Sequence, residues 1–417
     1  MSGLVLPPRD GPGLCSGKFW VPLRVVSPVR TYPMALLAYA FTAIMAGTTL
    51  PTPMYALYAE HLNFSVLTTT VVYATYAGGV LVGLLAFGRW SDTVGRRPVL
   101  LAGVVFAMAS AVVFLFADSV PVLLAGRVLS GLSAGLFAGT ATAAVVEAAP
   151  PAWRGRAPAV ATVANIGGLG AGPLLAGLLV QYAPDPLQLS FVVHLVLAGL
   201  AAVAVLMVPE TSPRTGRLGV QRLAVPPQAR AVFVVAALAG FAGFATTGLF
   251  TAVAPSFLSD VVGIDNHATA GAIVCSIFAS SALAQLAALR ADPQRAVAFG
   301  CAVLIAGMAI LALAVHFASL ALMIAAAVVC GIGQGVSFGR GLAAVSDCTP
   351  ADRRAEVTST YFVVAYIALS LPVMGEGLAA QAWGLDTAGL TFAVAVAVLA
   401  AGCLAAILAR ETRRVRV

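Results

Sequence analysis

Twelve long apolar runs constrain this chain more than any other feature. They fall at about 34–58, 68–88, 98–117, 121–147, 157–181 and 188–208, and again at about 231–257, 267–289, 296–316, 319–346, 357–381 and 387–409. Each is long enough for a helix to cross the bilayer core, which takes about 20 residues. Within lipid the backbone must satisfy its own hydrogen bonds, so such runs are read as helices. The fold class expected is an all-α polytopic membrane protein. The longest polar connection, 209–230, carries Pro213, Pro226 and Pro227 and separates the two sets.

Composition closes off the alternatives. Of 417 residues, 60% are hydrophobic and 9% charged, against about 25% charged in a soluble domain. Twelve spans take roughly 240 residues, which leaves short loops and tails but no sizeable soluble domain. The net charge of +7 does not point to nucleic acid, because the basic residues stand singly or in pairs and form no basic face. The six cysteines show no CxxC or Cys/His spacing, so neither disulfide nor metal is expected. His61, His194, His267 and His316 are too scattered for a ligand set. No Gly-x-x-x-x-Gly-Lys-Ser/Thr loop is present, so no nucleotide cofactor is expected. Residues 1–33, rich in Pro and Gly, lack a signal-peptide core and are read as a cytoplasmic tail.

The arginines set an orientation. Twenty-one of the 23 basic residues fall in the tails or in the connections after spans 2, 4, 6, 8 and 10; Arg127 and Arg340 lie within spans. The other loops hold acids alone, among them Glu60, Asp118, Asp185, Asp260, Asp265 and Asp386. The positive-inside rule then puts both termini in the cytoplasm; the location expected is the cell (inner) membrane.

The chain also repeats itself. Gly131, Gly135 and Gly139 recur as Gly331, Gly335 and Gly339, a shift of 200 residues. In the same register Glu147 matches Asp347, Pro150 matches Pro350 and Arg154 matches Arg354. The expected organisation is a six-span bundle at 34–208, a cytoplasmic loop at 209–230, a second bundle at 231–409 and a tail at 410–417. Transporters are often built from such repeats, with the substrate site at the interface of the halves near the midplane.

After span 2 the chain reads Gly88-Arg89-Trp90-Ser91-Asp92-Thr93-Val94-Gly95-Arg96-Arg97. It resembles the Gly-x-x-x-Asp-x-x-Gly-Arg-Arg/Lys signature of the major facilitator superfamily, over roughly 34–409. The resemblance implies two pseudo-symmetric bundles and a conformational latch. In that latch Asp92 faces the start of span 11 near Glu356, and Arg96 bonds Glu147. Span 5 carries Gly168, Gly172, Pro173 and Gly177, similar to a pattern of proton-coupled exporters in the superfamily, with Ala176 in place of one glycine. Its small residues suit either a leak-tight contact or ordinary close packing.

Charges inside spans cost about 2.5–3.5 kcal/mol or more. Arg127 resembles the buried arginine of the exporter pattern and is either a bias on a proton site, an anion binder, or a fixed cation bonded to carbonyls. Glu376, one turn after Pro372, is the acid well inside a span; it is read as a protonatable carboxylate or as a cap or gate near the outer end. Arg340 is expected to snorkel to the cytoplasm. His194 can titrate near neutral pH but equally fits a hydrogen-bonded interior histidine. Asn165, Gln334 and Tyr366 are cavity candidates or helix–helix hydrogen bonders. Span 1 has hydroxyls, Pro51 and Pro53, and no acid before Glu60.

The function that the resemblance implies is secondary active transport by alternating access, with proton-coupled efflux of small, largely apolar molecules. The partners expected are that substrate, protons and the lipid bilayer, with the protein acting as a monomer. A proton-coupled importer of a sugar, organic acid or amino acid is the alternative on the same fold. A membrane enzyme lacks a clustered set of catalytic residues, and a receptor lacks an output domain.

Overall fold

The computed structural model describes residues 31–215 and 218–415. The tail expected at 1–33 lies almost wholly outside the described residues, with Arg9, Lys18, Arg24 and Arg30, as do Arg217 and Arg416 and the side chains of Arg413 and Arg414.

Among the described residues, twelve helices are long and apolar enough to cross a membrane. Spans 1 to 6 are Tyr32–Leu62, Val66–Thr93, Arg96–Leu115, Val120–Glu147, Ala157–Tyr182 and Leu189–Met207. Spans 7 to 12 are Pro227–Ala252, His267–Ala287, Pro293–His316, Leu320–Asp347, Ala351–Trp383 and Leu385–Arg410. No strand occurs among the described residues.

Local chemistry sets many of the ends. Asn266 caps span 8 by accepting from the Thr269 N–H at 2.9 Å, and Asp292 caps span 9 by accepting from the Arg295 N–H at 2.9 Å. Asp292 is the acid of the second-half counterpart of the span 2 loop, and here it serves as a helix cap. Span 1 breaks where Pro51 and Pro53 remove backbone donors: its first helix ends at Thr49 and a second begins at Tyr55. The apolar run at 231–257 is likewise not one helix. It divides at Val253, with a short helix Ala254–Asp260 set off by Pro255 at its start.

The repeat is carried into the coordinates. Span 4 ends at residues 120 and 147, span 10 at 320 and 347, and the short helices that follow occupy Pro151–Trp153 and Ala351–Arg353. Every bound differs by 200. Span 4 packs on spans 2 and 3 as span 10 packs on spans 8 and 9. Gly131 and Gly135 lie against the span 2 backbone at Gly79 and Gly83, and Gly331 and Gly335 against that of span 8 at Ile277 and Ser281. A Cβ at any of the four would strike backbone, so the stripe sets how closely the helices approach.

Candidate functional site

A cavity of about 330 Å³ lies between the two sets of spans. Tyr76, Phe244, Phe278, Phe338, Phe362 and Tyr366 give it aromatic walls, and Asn165, Thr247, Ser281, Gln285 and Gln334 supply hydrogen-bonding groups. Ser281 Oγ donates to Gln334 Oε1 at 2.6 Å, and Gln285 Nε2 donates to Ser281 Oγ at 3.3 Å. The structure therefore brings Asn165, Gln334 and Tyr366 together. Thr142, Leu289 and Arg340 line the end nearest the arginine-rich face, the face that carries the connections after spans 2, 4, 6, 8 and 10.

Arg340 does not simply snorkel. Its Nη1 donates to the Leu289 carbonyl at 2.9 Å, and its Nε is buried without a partner. Among the described residues it is the one charged side chain in the cavity lining, and none there is a carboxylate.

Arg127 is buried beside the cavity at 1% exposure. Its Nη1 donates to the Thr48 carbonyl at 2.7 Å. The guanidinium carbon stands 5.8, 5.7 and 4.8 Å from the ring centroids of Tyr55, Tyr73 and Tyr76. Three ring faces and a carbonyl thus hold the cation in the absence of a carboxylate, each desolvated ring contributing on the order of 1–2 kcal/mol. Tyr76 also lines the cavity, so the cage forms part of its wall. Sequence reasoning missed these tyrosines, although their concentration on spans 1 and 2 near an uncompensated arginine was visible.

Glu376 and His194 lie away from this cavity. Glu376 is 4% exposed, and neither carboxylate oxygen has a hydrogen-bond partner. It faces two side voids formed by spans 7, 11 and 12 and their neighbours. His194 is buried against Gly47 beside a water-sized void of about 10 Å³, and its Nδ1 is unpartnered rather than hydrogen-bonded.

On the arginine-free face the cavity is closed. Gly168 and Gly172 of span 5 press on the span 1 backbone at Thr42 and Ala46, while Gly177 and the Pro173 carbonyl meet His267 and Gly271 of span 8. The His267 N–H donates to Gln181 Oε1 at 2.9 Å. Gly377 of span 11 sits against Thr70 of span 2, and Tyr73 lies against Thr251 of span 7.

On the arginine-rich face Arg96 grips Glu147 with two bonds, Nε to Oε2 at 3.3 Å and Nη2 to Oε1 at 2.9 Å. This bidentate pair is the stronger kind. Asp92, 56% exposed at its side chain, pairs with Arg96 at 2.6 Å, and the expected contact with the start of span 11 is not formed. Asp92 pairs instead with the arginine of its own loop. Gly95 has φ +118°, reserved for glycine, and a Cβ there would strike Glu210. Glu210 and Thr211 belong to the central connection and were missed from sequence. Glu210 accepts from the backbone of Arg96 and Arg97, and Thr211 Oγ1 donates to Glu147 at 2.7 Å. An acid standing among the basic residues of that face was the available signal. Arg97 Nη2 donates to the Leu206 carbonyl at 2.6 Å.

Comparison with known proteins agrees with this architecture. A bacterial homologue of the human lysosomal transporter Spinster, in an inward-facing and unoccupied conformation, superposes with TM-score 0.70 at 15% identity, over 91% of this chain and 97% of that one. The human organic anion transporter MFSD10 gives 0.64 at 17%, over 91% and 100%. Among sequences, the uncharacterised transporter YhjO of Bacillus subtilis is 28% identical over 46% of each chain. The multidrug transporter MdfA of Yersinia pestis (strain Angola) is 32% identical over 44% of this chain and 45% of its own. The chain thus spans about half the length of the relatives it matches. The family model for the Major Facilitator Superfamily matches residues 36–372, taking in the glycine-lined helix pairs, the Gly88–Arg97 loop and most of the cavity, and the chain belongs to that superfamily of membrane transport proteins.

Proposed function

We propose that this protein is a secondary active exporter that moves small, largely apolar molecules out of the cell by alternating access, in exchange for protons. The observation that carries this reading is the central cavity. Its aromatic walls and few amide and hydroxyl groups suit an apolar solute, and it opens toward the arginine-rich face while spans 1, 5 and 8 close the other. With arginines inside, the cavity loads from the cytoplasm, both termini are cytoplasmic and the protein sits in the cell membrane. One copy encloses the cavity, so a monomer suffices. The span 5 contacts and the relative named a multidrug transporter support export.

The lining favours neutral solutes or weak anions, since its one charge is Arg340. Arg340 also supports the second reading, import of an organic acid with protons. Proton coupling is assigned to Glu376, the buried acid of span 11. The test uses inside-out vesicles with an acidic lumen. Export predicts gradient-dependent accumulation of a neutral aromatic dye in the lumen and its loss in Glu376→Gln. Accumulation of an aromatic carboxylate by intact cells, with no dye uptake by vesicles, overturns export.

A further inference from the structure

Beside span 11 lies a second cavity, of about 380 Å³, walled by spans 7, 11 and 12 and separate from the central one. Phe241, Phe392, Val396 and Trp383 make its surface apolar and aromatic, and Glu376 is its one ionisable side chain among the described residues. The smaller void on the other side of Glu376, about 20 Å³ between Leu249, Phe250 and Met323, offers no ionisable group besides Glu376 among the described residues. Both carboxylate oxygens are buried and unpartnered.

The cavity opens sideways. Gly375 and Ala395 line it and are exposed although both lie well inside spans. Ala395 is ten residues into span 12, about 15 Å from its end, half the thickness of a hydrocarbon core of about 30 Å. The opening therefore faces lipid tails and is reached by molecules dissolved in the bilayer.

An ionised carboxylate with no partner at this depth is strongly disfavoured, whereas one paired with a cation is tolerated. Aromatic faces around it add attraction for a positive charge. We propose that this flank binds a lipid-soluble organic cation, an amine or onium with an aromatic or aliphatic body, which enters from the bilayer and pairs with Glu376. The central cavity, whose one charge is Arg340, is unsuited to such a ligand. This adds a ligand to the carboxylate assigned above to proton coupling. Binding is measured at equilibrium without a gradient, so loss of coupling and loss of binding are read separately.

The probe is tetraphenylphosphonium, with triphenylphosphine oxide as its uncharged counterpart, and the protein is held in nanodiscs of one zwitterionic lipid. Wild type binds the cation saturably. Glu376→Gln, and Ala395→Trp, which fills the mouth from the lipid side, each weaken binding about tenfold or more, equivalent to about 1.4 kcal/mol. Thr142→Trp, which obstructs the central cavity, leaves it at the wild-type level, and the phosphine oxide shows no dependence on Glu376. Equal cation affinity in wild type and Glu376→Gln overturns the proposal. So does loss of binding in Thr142→Trp alone, which places the cation in the central cavity. Uptake of the phosphine oxide with the same Glu376 dependence marks the flank as a site for apolar bodies at large and also overturns it.

Discussion

The Glu210 carboxylate sits on the N-terminus of span 3 and accepts from the backbone N–H of Arg96 at 2.8 Å and of Arg97 at 3.2 Å. The N–H groups of Thr211 and Ser212 reach the same carboxylate, each at 3.0 Å. One side chain of the central connection thus satisfies orphan donors of a distant helix and orders its own turn.

Replacing Glu210 with Ala is expected to cost about 1–2 kcal/mol, read as a lower thermal unfolding midpoint in detergent. The effect depends on pH. Burial by itself raises the Glu210 carboxyl, but N–H donors from Ser212, Arg96, Arg97 and Thr211 outweigh it and hold the group below its ordinary value of 4.5. A carboxyl lowered in the folded state stabilises fully above its ordinary value and loses that contribution as pH falls below it. Wild type and Glu210→Gln should therefore differ at neutral pH and converge in acid. A constant gap across that range would refute the role given to the charge.

Gly95→Ala should destabilise by more than about 1 kcal/mol, because its φ of +118° and the nearby Glu210 carboxylate both oppose a Cβ. Gly155→Ala, at an exposed position with nothing within 4 Å, should stay within about 0.5 kcal/mol of wild type. The comparison separates loss of backbone freedom from loss of glycine as such.

Around Arg127 the rings matter more than the hydroxyls. Tyr76→Phe keeps an aromatic face over the guanidinium and should unfold near the wild-type midpoint, while Tyr76→Leu should lose about 1–2 kcal/mol. Arg127→Lys keeps the charge but loses the flat, weakly hydrated group that suits this cage, so it should be destabilised too. Equal midpoints for the Phe and Leu variants would show that the cation is held by carbonyls alone.

At Gly172 a Cβ would meet the Ala46 carbonyl and Thr49 Oγ1 across the span 1 contact. Gly172→Val should part the two helices and let proteoliposomes lose an imposed proton gradient, followed with an entrapped pH dye. Gly199→Val, with nothing within 4 Å of the added carbon, should hold the gradient as wild type does.

Much of this architecture was legible in the residues because bilayers impose crude, local demands. Length and hydropathy marked the spans to within a few residues, and the glycines repeated at a shift of 200 identified the matching helices. The cavity was harder to see. Spans apolar on every side leave no amphipathic stripe to show which face meets a cavity, which meets a neighbour and which meets lipid. Asn165, Gln334 and Tyr366 stood out as polar groups and do share the cavity wall, but Glu376 stood out equally and faces another flank. Glu210 was hard to place for a different reason: it stands out only as an acid among basic residues, and its distant partners are backbone N–H groups more than a hundred residues earlier, which no side-chain pattern advertises. The cage at Arg127 needs two spans brought side by side before its rings converge.

The two ends of the transport path are built from different materials. The ion pairs among the described residues, Arg96 with Asp92 and Glu147, Arg214 with Glu210, and Arg353 with Glu356, lie on the arginine-rich face. The opposite closure is made of glycine, carbonyl and amide contacts. Ionic strength therefore screens the contacts that hold the arginine-rich end together far more than those of the other end, where side-chain volume at the glycines is what the packing feels.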